Sequence, residues 1–122
     1  MSKYLKKFNQ KGIIHILSTK NNTIITLTDF QGNTKFCAST GLLGFKNSRK
    51  STPYAAQAVA EQVAAKALSL GYSSVVVKLK GLGYGKESSL RSFLKSNLLL
   101  LKVIEQTPVS HNGCRPSKKR RI

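Results

Sequence analysis

The strongest structural signal in the chain is the segment STPYAAQAVAEQVAAKALSLGYSSVVVKL, which spans residues 51–79. Its opening, a hydroxyl residue followed by Pro53, is typical of a helix N-terminus, where the missing N–H of proline costs nothing. Gly71 ends the predicted helix. Apolar residues at three- and four-residue spacing predict one buried stripe, formed by Ala56, Val59, Ala60, Val63, Ala67 and Leu70. The following Val75-Val76-Val77 predicts a strand that is covered on both faces.

Shorter apolar runs surround this segment. Residues 12–17, 23–28 and 34–39 predict three strands that short turns join into an antiparallel meander. A glycine-rich turn at 81–85 leads into a second helix at 87–97, whose inner face would be Leu90, Phe93 and Leu94. Residues 98–105 predict a fifth strand. This succession predicts one α/β domain over residues 12–106 with a mixed sheet, a basic N-terminal arm over 1–11 and a basic, extended C-terminal tail over 107–122.

Positive charge dominates the composition. The chain of 122 residues has 21 Lys and Arg against 4 Asp and Glu, a net charge of +17. Such a chain repels itself, so we expect a polyanionic partner, with nucleic acid before an anionic membrane. No apolar run approaches the ~20 residues of a membrane span. The cations concentrate in the N-terminal arm, in residues 46–50 and in residues 115–121.

Residue types that commonly catalyse reactions or bind metals are few in this chain and lie far apart in the sequence. The four acids are scattered, without a pair at helical spacing: Asp29, Glu61, Glu87 and Glu105. Cys37 and Cys114 lack CxxC partners, and His111 with Cys114 would supply only two of the four ligands of a zinc site. His15 alternates with isoleucines and is expected to be a structural residue of a strand. We therefore expect no catalytic residue, metal site, cofactor or small-molecule substrate.

Two segments before the predicted helices suit phosphate groups. Residues 46–52 combine three cations, an amide and three hydroxyls directly before the long helix, and the alternative is a solvated basic loop. The turn at 81–85 fails the templates of both a P-loop and a dinucleotide fingerprint. A glycine turn at a helix start still suits one phosphate with Lys86 beside it, and the alternative is a tight turn without a ligand.

The tail and the aromatic residues are the remaining candidates for RNA binding. Residues 111–121 contain little that could join a core, which favours an extended ribbon that becomes ordered on RNA; a disordered solubilising or localising tail is the alternative. The aromatic residues lack the paired pattern of an RNA recognition motif. Tyr84 and Phe45 are the candidates for stacking on bases.

Four segments, in the order in which the family has them, resemble ribosomal protein S-eleven of the small subunit: Asn21-Asn22-Thr23, residues 41–57, residues 81–87 and residues 107–121. The resemblance implies a non-enzymatic, structural component of the small ribosomal subunit. It places this component on the platform near the exit path of the messenger RNA, in contact with small-subunit rRNA and neighbouring platform proteins. It also implies a three-layer, ribonuclease-H-like fold, whose nucleases carry strand carboxylates that these strands lack.

The resemblance assigns rRNA binding to Asn21, Asn22, Lys46, Asn47, Ser48, Arg49, Lys50, Ser51, Thr52, Gly83, Gly85, Lys86, His111, Asn112, Gly113, Cys114, Arg115, Pro116, Lys118, Lys119, Arg120 and Arg121. The sequence departs from the usual family pattern at a few positions. The family usually has arginine where Lys46 and Lys86 stand, and lysine gives up arginine's bidentate contact with phosphate.

The short arm resembles that of organellar members, and the excess of lysine over arginine indicates an A+T-rich gene. These features favour a mitochondrial location over a plastid or the bacterial cytoplasm. Two other functions are compatible with the residues alone. One is a small metal-dependent nuclease on the same fold, and the other is a free single-strand binder.

Overall fold

The computed structural model describes residues 10–46 and 50–121, and the N-terminal arm up to residue 9 lies outside them. Its elements follow the predicted order: β1 (Gln10–Ser18), β2 (Thr23–Asp29), β3 (Thr34–Ser39), α1 (Pro53–Ser69), β4 (Tyr72–Lys80), α2 (Gly85–Lys95) and β5 (Leu99–Glu105). No helix in these described ranges is long and apolar enough to cross a membrane.

The five strands form one mixed sheet in the order β3-β2-β1-β4-β5. The predicted meander is confirmed, because β2 pairs antiparallel with both β1 and β3. The two helical crossovers then place β4 parallel to β1 and β5 parallel to β4. The predicted mixed five-stranded sheet with two main helices is therefore present.

Both helices lie on the same face of the sheet. Their buried side chains form one core with Ile14, Ile25 and Val77, which share that face. The opposite face holds buried residues such as Ile13 and Thr28 beside half-buried ones such as His15 and Lys78, and neither helix packs on it. Residues 10–46 and 50–121 thus form two layers, and the third layer implied by the resemblance is not built by them. The valine run of β4 reflects a central strand with one face under the helices, so the prediction of two covered faces is wrong.

Helix α1 begins and ends where the sequence predicts. The Thr52 hydroxyl accepts a hydrogen bond from the N–H of Ala55 at 3.2 Å, and the chain leaves the helix at Leu70. The predicted stripe is buried except for Leu70, which is half-buried, and Ala55 and Ala64 are buried as well. The stripe is wider than predicted because α1 packs against α2 as well as against the sheet.

Helix α2 begins two residues earlier than predicted. Its first N–H group is satisfied from a distant strand, since the N–H of Gly85 donates to the Ser18 hydroxyl at 3.1 Å. This tertiary cap leaves no local signal in the sequence. Phe93 is fully buried as predicted, but Leu94 is 62% exposed, so its placement on the inner face is wrong. The small residues Ser89 and Ser92 are buried instead, because α1 approaches closely on that side.

Candidate nucleic-acid interface

Four strands of the sheet end at the same edge. β1, β3, β4 and β5 run in one direction and β2 runs against them. The connections that leave these four strands are residues 19–22, 40–52 and 81–84 and the tail from 106 onward. We call the edge at which these four strands end, together with the connections that leave it, the carboxyl edge. Ligands of open α/β sheets bind beyond the carboxyl ends of the strands. Of the described residues predicted to bind rRNA, all lie in these connections, in the first two residues of α2 or in the tail.

The glycine-rich turn is packed against the end of β1. The N–H of Gly83 donates to the carbonyl of Ser18 at 3.0 Å. A Cβ atom added to Gly83 would lie 2.2 Å from the carbonyl oxygen of Thr19, and one added to Gly85 would lie 2.2 Å from the hydroxyl of Thr23. The structure therefore requires these glycines for close packing of the turn on the β1–β2 loop.

Asn22 joins the β1–β2 loop to the segment that leaves β3. Its side-chain oxygen accepts hydrogen bonds from the N–H of Thr23 at 2.9 Å and from the hydroxyl of Thr40. The N–H of Thr40 also donates to the carbonyl of Thr23 at 3.1 Å. Asn22 thus holds the start of the connection at residues 40–52, which we call the basic loop, whereas its neighbour Asn21 is exposed.

The two helices begin side by side at the carboxyl edge. A Cβ atom on Gly85 would lie 2.9 Å from the Cβ of Ala56, and the Ser89 hydroxyl donates to the carbonyl of Ala56 at 3.4 Å. The positive ends of both helix dipoles therefore point towards the same region, which favours an anion there.

The basic loop lies beside these helix starts. Lys46 is exposed and Lys50 is half-buried. The ring of Phe45 packs edge-on against Tyr54, with centroids 6.1 Å apart and planes at 81°. Three predicted residues of this loop lie outside the described residues: Asn47, Ser48 and Arg49. Ser51 and Thr52 lead into α1, and the Thr52 hydroxyl caps it.

Lys86 pairs with an acid at the carboxyl edge. Its ammonium nitrogen lies 3.3 Å from both carboxylate oxygens of Glu105. The Thr107 hydroxyl also donates to Glu105, and this bond, followed by Lys86, lowers the pKa of that carboxyl. The charge of Glu105 is thereby neutralised where the tail begins.

The tail leaves the sheet beside the glycine-rich turn. The N–H of Gln106 donates to the carbonyl of Leu79 at 2.7 Å, and the N–H of Gly81 donates to the Thr107 hydroxyl at 3.2 Å. Residues 108–121 are exposed. Asn112 has a positive φ of 72°, so the chain turns within the predicted ribbon. The remaining predicted tail residues follow one another along this exposed chain: His111, Gly113, Cys114, Arg115, Pro116, Lys118, Lys119, Arg120 and Arg121.

Two further lysines stand at this edge. Lys20 lies in the β1–β2 loop and Lys80 ends β4, and both are exposed. The sequence patterns did not predict these two lysines as part of the site, although Lys20 adjoins Asn21 and Lys80 adjoins the glycine-rich turn. Within the described part of the chain, no three His, Cys, Asp or Glu side chains come together as a metal site would require.

These features define an α/β protein whose cationic loops and tail leave one edge of a mixed sheet. The sequence model of the family described as ribosomal protein S11 matches residues 12–121, and the chain belongs to this family. It is therefore a structural, non-enzymatic component of the small ribosomal subunit, as the resemblance implied.

Individual relatives agree with this assignment. The chain is 58% identical over 123 aligned positions to small ribosomal subunit protein uS11m of Prototheca wickerhamii, covering 99% of this chain and 96% of the relative. It is 59% identical over 105 positions to uS11m of Marchantia polymorpha, covering 86% and 84%. It is 47% identical over 122 positions to uS11 of Kosmotoga olearia, covering 99% and 94%. The two uS11m relatives are mitochondrial forms, which agrees with the predicted mitochondrial location.

Proposed function

We propose that the carboxyl edge is the surface through which this chain binds small-subunit rRNA. Three connections and the tail converge at this edge, where Lys20, Lys46 and Lys80 are exposed, and this convergence supports the proposal. Glu105, the acid at the ends of these strands, is already paired with Lys86. Phosphates that approach the edge therefore meet uncompensated positive charge.

Affinity and register come from different groups in this proposal. The lysines and the cations of the tail neutralise phosphates, which supplies affinity without reading sequence. The loop hydroxyls and the paired helix N-termini hold particular phosphates at fixed positions. Because the loop and the tail leave a rigid sheet edge, their spacing selects an RNA backbone of matching shape.

The remaining predicted residues shape this surface. Asn22 holds the basic loop at its start, Gly83 and Gly85 bring the turn close to β1, and Lys86 fixes the start of the tail through Glu105. We propose that their contribution to rRNA binding is to position the cationic segments. Lys46, Lys50 and the tail then make the direct contacts with phosphates.

The salt dependence of binding tests the proposal. If about six to eight phosphates are engaged, the logarithm of affinity for a platform rRNA fragment should fall with the logarithm of salt with a slope of magnitude about four to seven. Lys46→Ala should reduce this magnitude by about 0.7 to 0.9. Lys95→Ala is the matched control, because Lys95 is exposed in the last turn of α2, away from the carboxyl edge. A wild-type slope near one, or equal effects of the two substitutions, would contradict the proposal.

We further infer that the protein sits on the platform of the mitochondrial small subunit, near the exit path of the messenger and beside other platform proteins. The family resemblance supports this position, and the exposed tail provides a segment that can extend along rRNA towards the messenger. Sedimentation in a sucrose gradient should place the protein with small subunits, and chemical footprinting should show protection of platform nucleotides. Migration with free protein would favour the single-strand binder instead.

A further inference from the structure

We propose that Tyr54 and Tyr84 form a stacking surface for unpaired bases of the RNA bound at the carboxyl edge. The inference rests on the proposed function and adds the class of nucleotide that is bound. Both rings face solvent, with Tyr54 73% and Tyr84 78% exposed. Tyr72, in contrast, is only 5% exposed and belongs to the core.

The two tyrosines stand at adjacent helix starts. Tyr54 is the second residue of α1, and Tyr84 is the residue at which α2 is capped. The close approach between Ala56 and Gly85 brings these helix ends together. The backbone at both positions is fixed by this packing, so a base that stacks on either ring meets a surface that is already in place.

The local contacts leave each ring available as a stacking surface. Phe45 packs edge-on against Tyr54, which restrains that ring while its exposed surface stays accessible. Tyr84 makes no side-chain capping hydrogen bond, so its ring has no role in starting α2. Leu82, two residues earlier, is also exposed and extends the apolar surface. Phe45, a sequence candidate for stacking, is half-buried and therefore supports Tyr54 rather than facing a base itself.

The chemistry of the site favours unpaired nucleotides. Base faces stack on aromatic rings with little dependence on sequence, and the faces become accessible only where bases are unpaired and unstacked. The lysines of the same edge hold the flanking phosphates, since Lys46 follows directly after Phe45 and is exposed. Phosphate contacts and base stacking would then act together on one strand.

The test uses the full chain and two RNA probes. The first probe is a platform rRNA fragment with 2-aminopurine at its unpaired positions, and the second is the same fragment with those positions paired by a complementary strand. Wild-type protein should change the 2-aminopurine fluorescence of the first probe on binding. Tyr84→Leu and Tyr54→Leu should each weaken its binding about fivefold to thirtyfold and reduce the fluorescence change. The salt slope should stay at the wild-type value, because no charge is removed.

Control variants separate stacking from folding and from charge. Tyr84→Phe retains the ring and should bind as wild type does, and far-UV circular dichroism should show that all variants are folded. Unchanged binding by both leucine variants, or equal weakening towards both probes, would overturn the inference. In either case a retained effect of Lys46→Ala would leave the proposed function intact. If wild-type protein binds neither probe with the expected salt slope, the proposed function itself fails.

Discussion

Replacing Gly83 with alanine tests whether the glycine-rich turn is a packing element or a ligand site. The new Cβ would lie 2.2 Å from the carbonyl oxygen of Thr19 and 2.4 Å from the hydroxyl of Ser18. Both distances are too short for a van der Waals contact. Because the carbonyl oxygen of Thr19 belongs to the backbone, it cannot rotate away, and the turn must move away from β1. Two hydrogen bonds then weaken, from the N–H of Gly83 to the Ser18 carbonyl at 3.0 Å and from the N–H of Gly85 to the Ser18 hydroxyl at 3.1 Å.

The size of the effect follows from these contacts. Overpacking of a tight site costs about 1–3 kcal/mol, and each lost hydrogen bond costs about 1 kcal/mol. Gly83→Ala should therefore lower the free energy of unfolding by about 3–5 kcal/mol, a large part of the roughly 5–15 kcal/mol of a typical domain. This loss should appear in the free protein, without any RNA.

Urea denaturation followed by circular dichroism measures this difference, because it reports the free energy of unfolding directly. Gly41→Ala is the matched control, since its Cβ would lie 3.7 Å from the side chain of Lys50, which is an ordinary contact. Its stability should stay within about 0.5 kcal/mol of wild type, as for most surface substitutions. If Gly83→Ala were equally stable but bound rRNA poorly, the turn would be a ligand site and the packing account would be refuted.

Two further predictions concern charge. Lys86→Met should leave the salt slope of rRNA binding unchanged, because the ammonium of Lys86 is already neutralised by Glu105; a slope lower by about 0.7 to 0.9 would show that Lys86 contacts a phosphate. Burial, followed by the nearby Lys78, lowers the pKa of His15, so its folded pKa lies below the unfolded value. The unfolded chain therefore binds the proton more readily, and stability should fall as the pH drops below about 6.5. His15→Gln should flatten this dependence in urea titrations at pH 5 to 8, and an unchanged pH profile would contradict it.

The elements of the fold could be predicted because their signals are local. The cap at Thr52, the alanine and valine stripe of α1 and the β-branched runs each lie within a short stretch of sequence. The predictions that were wrong depend on distant contacts. The earlier start of α2 is set by Ser18 on β1, and the exposure of Leu94 is set by the side on which α1 packs.

In the candidate site, too, some features follow from local sequence and others depend on distant contacts. The cationic loop and tail are evident from sequence because charge is a property of composition. The partners of Asn22 and Lys86 are not evident, since Thr40 and Glu105 lie 18 and 19 positions away along the chain. The exposure of Tyr54 also depends on folding, because its position on α1 turns the ring away from the core.

The order of strands and helices, the excess of positive charge and its concentration in the loop and tail follow from the sequence alone. Hydrophobic periodicity and charge are encoded residue by residue, so they need no knowledge of the fold. The ends of four strands at one edge and the placement of both helices on one face become evident only from the folded chain. The same holds for the pairing of Lys86 with Glu105 at that edge. These arrangements arise from strand direction and from contacts between residues far apart in the chain, which no local pattern specifies.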